Sequence, residues 1–330
     1  MSRTNRLGLS IGGAIAIALV ASLAGVIWAG SLDPPNLPAP TQETWIYQPT
    51  TGCAGFPITL SAAGSYKLAQ NISMPAACAK DGIDISASGA TLDLNGFAVS
   101  GVVGSLNGVA VTASVVNISI TNGTVVGWGG NGIDTSAGNS SMIIEHLRVS
   151  GNGATGIYAG NGAVIKDNSV FQNGASGIRF GWRALVDGNN VYVNAQTSAA
   201  AGVGGIVSAS SGRGALVQNN AVAYTGNTRP GILLTGIYSA RVVSNVSTDN
   251  EGAGIEVNGP LGGGHANVIE GNTVSRNSGG IVISSDSNIV TRNTAEQNFS
   301  PGNYSISAGN DVGPSGTAAT ATSPWANISD

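Results

Sequence analysis

From residue 82 onward, apolar and polar residues alternate in short runs that end at glycine or asparagine. One such run is Val-Ile-Lys-Asp-Asn-Ser-Val at residues 164–170, in which apolar residues lie on both sides of a polar Asp-Asn step. Alternation with a period of two residues is typical of a β-strand with one buried side. Heptad and helical periodicity are absent downstream of residue 31. The pattern therefore predicts many short strands separated by tight turns.

These strands belong to a repeat. A glycine followed by Ile or Val recurs nine times at steps of 21 to 28 residues, at Gly82, Gly108, Gly132, Gly156, Gly177, Gly205, Gly231, Gly254 and Gly280. A recurring unit of this length is the signature of a solenoid. We predict an all-β fold, a right-handed parallel β-helix of about nine coils over residues 82–300, with three short parallel strands per coil. The variable steps place insertions at corners, notably 196–204 and 208–214.

Asparagines form two further columns. The first comprises Asn122, Asn168, Asn189, Asn220, Asn245, Asn272 and Asn293, with Leu147 as an exception, and the second comprises Asn173, Asn194, Asn250, Asn277 and Asn298. Stacked Asn side chains can hydrogen-bond along the solenoid axis, and Asn also tolerates the left-handed backbone of a sharp corner. We interpret each of these residues as performing both tasks.

The N-terminus predicts export from the cytoplasm. Arg3 and Arg6 precede an uncharged, apolar stretch at 7–29 that is long enough to form one membrane-spanning helix. Residues 1–30 fit a cleaved signal peptide and a retained membrane anchor equally well, so a membrane contact through 7–29 stays open. Residues 31–50 carry five prolines and predict a stiff linker. The protein is expected to be extracytoplasmic, secreted or anchored.

The composition and the net charge constrain the core and the class of partner. With 50 Gly, 9% charged and 5% aromatic residues, the core must consist of small and branched side chains. A net charge of −4 with 13 scattered basic residues gives no surface for nucleic acid. Cys53 and Cys78 are expected to close a disulfide loop in an N-terminal cap at 51–81, the alternative being two unpaired small apolar residues. Residues 301–330 would form the C-terminal cap or tail.

The Gly-Ile and Asn columns, together with the Thr-Leu-Asp-Leu-Asn-Gly-Phe sequence at 91–97, resemble the secreted parallel β-helix proteins of the pectate-lyase-like and NosD-like group. The resemblance covers about two thirds of the chain and implies the fold, with a carbohydrate-related role by analogy. The group's known catalytic motifs are absent. A calcium-binding carboxylate cluster, an Asp-Pro-His-Asp run and a histidine-rich copper site are all missing, and His146 and His265 are the only histidines. No metal or cofactor is predicted, and whether the chain is an enzyme stays open.

One outward column on the first strand of each coil has a distinct chemistry. Asp134, Tyr158 and Arg179 should lie on three successive coils within about 10 Å. The Tyr ring can stack on a sugar and Arg can bind a carboxylate with two hydrogen bonds, whereas the alternative is a solvated face with incidental charges. Val207 and Leu233 would extend an apolar strip or lie under an insertion.

Three other sets of residues bear on this site. Trp182, and Trp128 near the same face, could stack on a saccharide or shield a corner. Glu145, Lys166 and Asp187 on the second strand are interpreted as a stabilising charge ladder. His146 would be held by the backbone at a corner. These sets add one ligand-binding candidate, Trp182.

The leading hypothesis is an exported β-helix that binds extracellular or cell-wall carbohydrate along one face. A polysaccharide lyase or hydrolase with an unrecognised site would instead place two or more carboxylates within about 10 Å in a cleft. A structural or adhesive surface protein would present flat faces and an exposed apolar strip.

Overall fold

The computed structural model describes residues 43–112, 114–138, 140–197, 202–209, 212–259 and 264–330. The predicted N-terminal hydrophobic helix, and with it the signal or anchor at 1–30 and most of the 31–50 linker, lie outside the described residues. Within the described ranges, no helix is long and apolar enough to span a bilayer. The fold is therefore described from Glu43 onward.

Strands stack in parallel on three faces of a solenoid. Face 1 is a sheet of eleven strands: Ile58–Leu60, Ile83–Ile85, Val109–Val111, Ile133–Thr135, Ile157–Ala159, Ile178–Phe180, Ile206–Ser208, Ile232–Thr235, Ala253–Asn258, Gly279–Ile283 and Gly302–Ile306. Each pairs with the strand one coil away, as in the register of Ile133 opposite Ile157. The Gly-Ile repeat of the sequence is thus the start of face 1.

Faces 2 and 3 follow face 1 in every complete coil. Face 2 contains Thr44–Ile46, Gly64–Leu68, Ala90–Asp93, Val164–Lys166, Leu185–Asp187, Leu216–Gln218, Arg241–Val243, Val268–Glu270, Ile289–Thr291 and Asp311–Val312. Face 3 contains Ile72–Ser73, Ala98–Ser100, Ser169–Phe171, Asn190–Tyr192, Ala221–Ala223, Val246–Thr248, Thr273–Ser275, Thr294–Glu296 and Asn327–Ser329. Two long strands, Val116–Val126 and Ser140–Ser150, turn the corner and belong to both faces.

Short elements outside the three faces complete the described structure. A 3-10 helix spans Gly52–Gly55, Ser315–Gly316 pairs with Asn327–Ser329, and Gly212–Arg213 pairs with Ile237–Tyr238 in a separate small sheet. That small sheet lies in the corner between faces 1 and 2, where the 208–214 insertion was predicted.

The core is a stack of small and branched side chains. On face 1 the residue after each repeat glycine is buried, as for Ile133, Ile157 and Ile178, all of which are fully inaccessible. Each buried side chain rests on the equivalent one in the next coil, because parallel strands in register repeat at about 4.8 Å. This stacking is the physical reason for the repeated Ile in the sequence.

The solenoid is longer at both ends than the predicted repeat. Nine coils were expected, and the two extra strands on face 1 come from the segments predicted as caps, 51–81 and 301–330. Ile58–Leu60 pairs with Ile83–Ile85 at one end, and Gly302–Ile306 pairs with Gly279–Ile283 at the other. Both segments contribute β-structure to the stack.

The interpretation of the Asn columns was partly wrong. The ladder exists: the backbone N–H and Nδ2 of Asn189 both donate to Oδ1 of Asn220, at 2.9 Å each. The left-handed residue, however, is the one before the ladder position, such as Asn219 with φ of 56°. Asn122 belongs to this left-handed column, with φ of 61°, and Leu147 is in register with Asn168 at the ladder position. One residue therefore adopts the left-handed conformation at the corner, and the next residue makes the hydrogen bonds of the ladder.

The predicted disulfide is present. Cys53 and Cys78 are bonded, with their Cα atoms 5.6 Å apart. The bond joins the 3-10 helix to the segment that precedes Gly82, and Cys78 is buried against the first coils. It therefore ties the N-terminal segment to the start of the solenoid.

Candidate functional site

The register places the three predicted site residues side by side on face 1. Asp134 is opposite Tyr158, and Tyr158 is opposite Arg179, on three consecutive strands. The residue on each side of them in its own strand is buried, so strand alternation directs these three side chains outward. All three are half-buried. We call this group the face 1 patch.

Arg179 and Tyr158 form its centre. The Arg179 guanidinium carbon lies 5.1 Å from the centroid of the Tyr158 ring, within the range of a cation–π contact. Among the described residues, the buried Nε of Arg179 has no hydrogen-bond partner. A buried donor without a partner costs free energy, so the protein itself does not fully satisfy the Arg179 side chain.

Asp134 is held by residues of its own coil. Its Oδ2 accepts a hydrogen bond from Nδ2 of Asn131 at 2.8 Å. Its Oδ1 accepts from the backbone N–H of Ser136 at 3.0 Å and from the Ser136 hydroxyl at 2.6 Å. Because both oxygens already accept hydrogen bonds, the carboxylate is held in one position. It can act there as a hydrogen-bond acceptor rather than as a free base.

Neighbouring residues close the patch at both ends. Val207, opposite Arg179 on the next strand, is only 1% exposed, and Leu233 beyond it is 4% exposed. Val203 and Pro230 from neighbouring loops are buried here as well. Val207 and Leu233 therefore do not extend the patch as an accessible apolar strip, and Ala110 is buried at the opposite end. The accessible patch therefore spans three coils.

The two tryptophans near this face differ. Trp182 lies in the corner after Phe180, half-buried, with the Arg183 guanidinium 4.5 Å from its ring centroid. A Cβ added at Gly212 would come within 2.2 Å of its Cβ, so the small sheet packs directly on it. Trp182 is thus a partly shielded ring beside the patch, three residues after Arg179.

Trp128 is a core residue. It is 1% exposed, and its Nε1–H donates to the carbonyl of Val99 at 3.0 Å. A Cβ at Gly82, Gly101 or Gly108 would come within 3.0 Å of this tryptophan, so three glycines make room for it. Of its two predicted roles, shielding is the one observed.

The charged residues of face 2 occupy consecutive strands, with Glu145 opposite Lys166 and Lys166 opposite Asp187. Lys166 Nζ lies 3.5 Å from Asp167, its chain neighbour in the left-handed column. His146 is itself in that column, exposed, with Nε2 3.9 Å from Asp167. These groups form a solvated row beside a corner.

An aromatic row on face 3 was not predicted. Phe171 and Tyr192 are opposite each other on adjacent strands, with ring centroids 4.9 Å apart and planes at 6°. The Arg148 guanidinium carbon lies 5.6 Å from the Phe171 centroid. Both aromatic residues stand three positions after a ladder asparagine, a spacing that could have identified the row in the sequence.

Within the described ranges, no three His, Cys, Asp or Glu side chains come together in a group that could hold a metal ion. Charged residues of the face 1 patch are one Asp and one Arg. The arrangement presents a ring, a guanidinium and a fixed carboxylate.

A family model described as "Right handed beta helix region" matches residues 136–295. The periplasmic alginate epimerase AlgG has a similar structure, with a TM-score of 0.50 and 16% identity over 70% of this chain and 69% of that chain. The chain is a right-handed parallel β-helix. The repeat predicted from the sequence is confirmed.

Other solved structures share the β-helix. Tailspike protein 2 from the Escherichia coli O157:H7 bacteriophage CAB120 has a TM-score of 0.51 and 14% identity, over 78% of this chain and 38% of that chain. Pectate lyase Pel9A has a TM-score of 0.47 and 15% identity over 86% and 73% of the two chains. A search of curated protein sequences finds no significant match. At these identities the likeness establishes the fold, and the site has to be argued from its own residues.

Proposed function

We propose that this β-helix binds an acidic polysaccharide outside the cytoplasm, with the face 1 patch as its binding site. The observation that carries the proposal is the Arg179 guanidinium, which lies over the Tyr158 ring with its Nε unpartnered. A uronate ring offers the complementary groups, a carboxylate for Arg179 and an apolar ring face for Tyr158.

Asp134 adds selectivity. Because Asn131 and Ser136 fix its carboxylate, its remaining lone pairs can accept a hydrogen bond from a sugar hydroxyl at a defined position. Binding is favoured over catalysis, since the patch provides one internally bonded carboxylate, whereas glycoside hydrolysis ordinarily uses two. The polysaccharide-related role is also supported by the neighbour that shares the fold, an alginate epimerase.

Location outside the cytoplasm rests on two observations. Structural disulfides persist in oxidising compartments, and Cys53 and Cys78 are bonded. The segment at 7–29 has the length and charge flanks of an export signal or anchor. The similar alginate epimerase is described as periplasmic, in agreement with this location.

The test compares affinity for acidic and neutral sugars. The purified full-length protein is titrated calorimetrically with oligomers of mannuronate, guluronate and galacturonate, and with neutral hexose oligomers. We expect Arg179→Gln to raise the Kd for the bound uronate about tenfold or more, since a charge-assisted hydrogen bond is lost. The matched control is Arg241→Gln, an exposed arginine on face 2. Equal affinity of the Arg179 variant and wild type would refute the site.

A structural or adhesive role is the second candidate, and face 2 favours it. Outward residues on successive strands there are apolar, namely Ile143, Val164, Leu185 and Leu216, and Ile143 is 39% exposed. Such a strip fits a protein partner better than a sugar. Absence of binding to every uronate oligomer, with specific adhesion to a cell surface that Ile143→Ser abolishes, would favour this role.

A further inference from the structure

Exposed aromatic side chains lie at the corner between faces 3 and 1. We propose that this corner carries a separate binding surface for a neutral polysaccharide. We call it the corner strip and define it by Phe171, Tyr192, Tyr224, Asp249, Arg276 and Phe299. It goes beyond the proposed function, because it lies on a different side of the solenoid and selects a different class of sugar.

Aromatic rings follow the strip along the solenoid axis. Phe171 and Tyr192 are half-buried and parallel, with centroids 4.9 Å apart. One coil further, Tyr224 occupies the left-handed corner position with φ of 54° and is 56% exposed. Phe299, near the end of the strip, is 79% exposed. Rings that face solvent on several coils of one corner are costly unless a partner covers them.

A fixed polar pair lies between the rings. Arg276 donates to both carboxylate oxygens of Asp249, at 2.8 Å from Nε and 2.8 Å from NH2, and its NH2 also donates to the Thr248 hydroxyl at 3.1 Å. Both residues occupy the same left-handed column as Tyr224. The pair is rigid, and its unused donors and lone pairs point to solvent.

A shallow depression of about 510 Å³ lies against this pair. Its lining is Asp249, Arg276, Gln297, Asn298 and Phe299. An exposed aromatic ring beside amide, carboxylate and guanidinium groups offers both parts of a sugar-binding site: an apolar plane for the C–H face of a hexose, and donors and acceptors for its hydroxyls. The depression is large enough for one ring of a chain that continues along the axis.

Charge decides which sugars fit. At the depression, Arg276 is neutralised by Asp249 at hydrogen-bond distance, so this part of the corner strip offers no free cation to a carboxylate. Arg148 lies at the other end of the strip, over the Phe171 ring. In the face 1 patch the Arg179 Nε is unpartnered and Asp134 is satisfied by uncharged groups. The corner strip therefore favours neutral hexoses, whereas the face 1 patch favours uronates.

The length of the strip indicates a chain rather than a monosaccharide. Phe171 and Phe299 are separated by five coils, which is about 24 Å at ~4.8 Å per coil. An extended oligosaccharide parallel to the axis would meet the stacked pair, Tyr224, the charged pair and Phe299 in order.

The experiment uses the full-length protein and neutral hexaoses with β-1,4 or β-1,3 linkages, with affinity measured by calorimetry and by retardation in gels that contain the parent polysaccharide. Phe299→Ala and Tyr224→Ala should each raise the Kd for the bound hexaose about threefold to tenfold, the loss expected for one stacking ring. The matched control is Tyr47→Ala, an equally exposed tyrosine near the N-terminus, 62% exposed.

The outcomes separate this proposal from the face 1 proposal. We expect Arg179→Gln to leave neutral hexaose binding unchanged, and Phe299→Ala to leave uronate binding unchanged. The corner strip is refuted if wild type binds no neutral hexaose, or if Tyr47→Ala reduces the affinity as much as Phe299→Ala does. Absence of uronate binding by wild type, with neutral hexaose binding present, would refute only the face 1 patch.

Discussion

The asparagines of the ladders and Arg179 of the face 1 patch differ in their hydrogen bonding. In the ladder between faces 2 and 3, Asn220 accepts from Asn189 and donates to the Val186 carbonyl and to Asn245, all at 2.9 Å. In the patch, the Nε of Arg179 is buried and has no partner among the described residues. Both regions repeat along the same axis, so the fold alone does not explain the difference.

That difference separates structural from functional polar groups. A ladder asparagine uses its donors and acceptor on neighbouring coils, and nothing remains for a ligand. Arg179 lies over Tyr158, and its Nε has no partner among the described residues, so the protein itself does not fully satisfy this guanidinium. We infer that an unpaired donor on a half-buried, outward side chain marks a binding position in this solenoid.

The largest loss of stability is expected at Trp128, which occupies a position that an asparagine fills elsewhere in the ladder. The backbone N–H of Trp128 donates to Oδ1 of Asn152, as a ladder asparagine would, while its ring fills the space left by three glycines. Trp128→Ala would leave a large cavity and should lower the free energy of unfolding by about 3–5 kcal/mol. Chemical denaturation checks this, with the 46% exposed Trp45→Ala as the control.

A break within the ladder should cost somewhat less. Asn220→Ala removes the acceptor of the Asn189 backbone N–H, one of the acceptors of Asn189 Nδ2, and the Nδ2 donor to the Val186 carbonyl, all of them buried. We expect a loss of about 2–4 kcal/mol in the free energy of unfolding, measured by denaturant titration. Asn219→Gly is the matched control, because Asn219 is exposed with φ of 56°, a conformation that glycine adopts readily. A loss of similar size in Asn219→Gly would contradict the division of tasks.

The smallest effect is the pH dependence of stability that arises from the Asp249–Arg276 pair, which is exposed rather than buried. Hydrogen bonds from Arg276 hold the pKa of Asp249 below its usual value. A lowered pKa in the folded state gives stability that is present above the unfolded value of about 3.9 and is lost as the pH falls through the folded value. Between pH 5 and 2, wild type should therefore lose about 1 °C more in melting temperature than Asp249→Asn, since exposed pairs contribute little. Identical pH profiles would indicate that the pair adds no stability.

Much of the fold could be predicted from the sequence because burial on one side of each strand imposes a period. The Ile after each repeat glycine is buried in every coil, so its column is visible without a structure. The two tasks at the corners were harder to separate, since asparagines occur in both columns, as Asn219 and Asn220 illustrate. Where asparagine suits both positions, the residue type does not show which of them has the positive φ.

Features that depend on distant segments could not be predicted. Trp128 is buried because Gly82, Gly101 and Gly108 from other strands leave space for it. Val207 is outward by alternation and yet 1% exposed. The outward column on face 1 was predictable residue by residue, whereas the burial of this column after Arg179 was not.

We infer that the guanidinium of Arg179 binds a ligand. The most direct test is the dissociation constant of Arg179→Gln for a uronate oligomer, measured calorimetrically on protein with a wild-type melting temperature. We expect a Kd at least about tenfold above that of wild type, with an unchanged free energy of unfolding. An unchanged Kd, at undiminished stability, would contradict it.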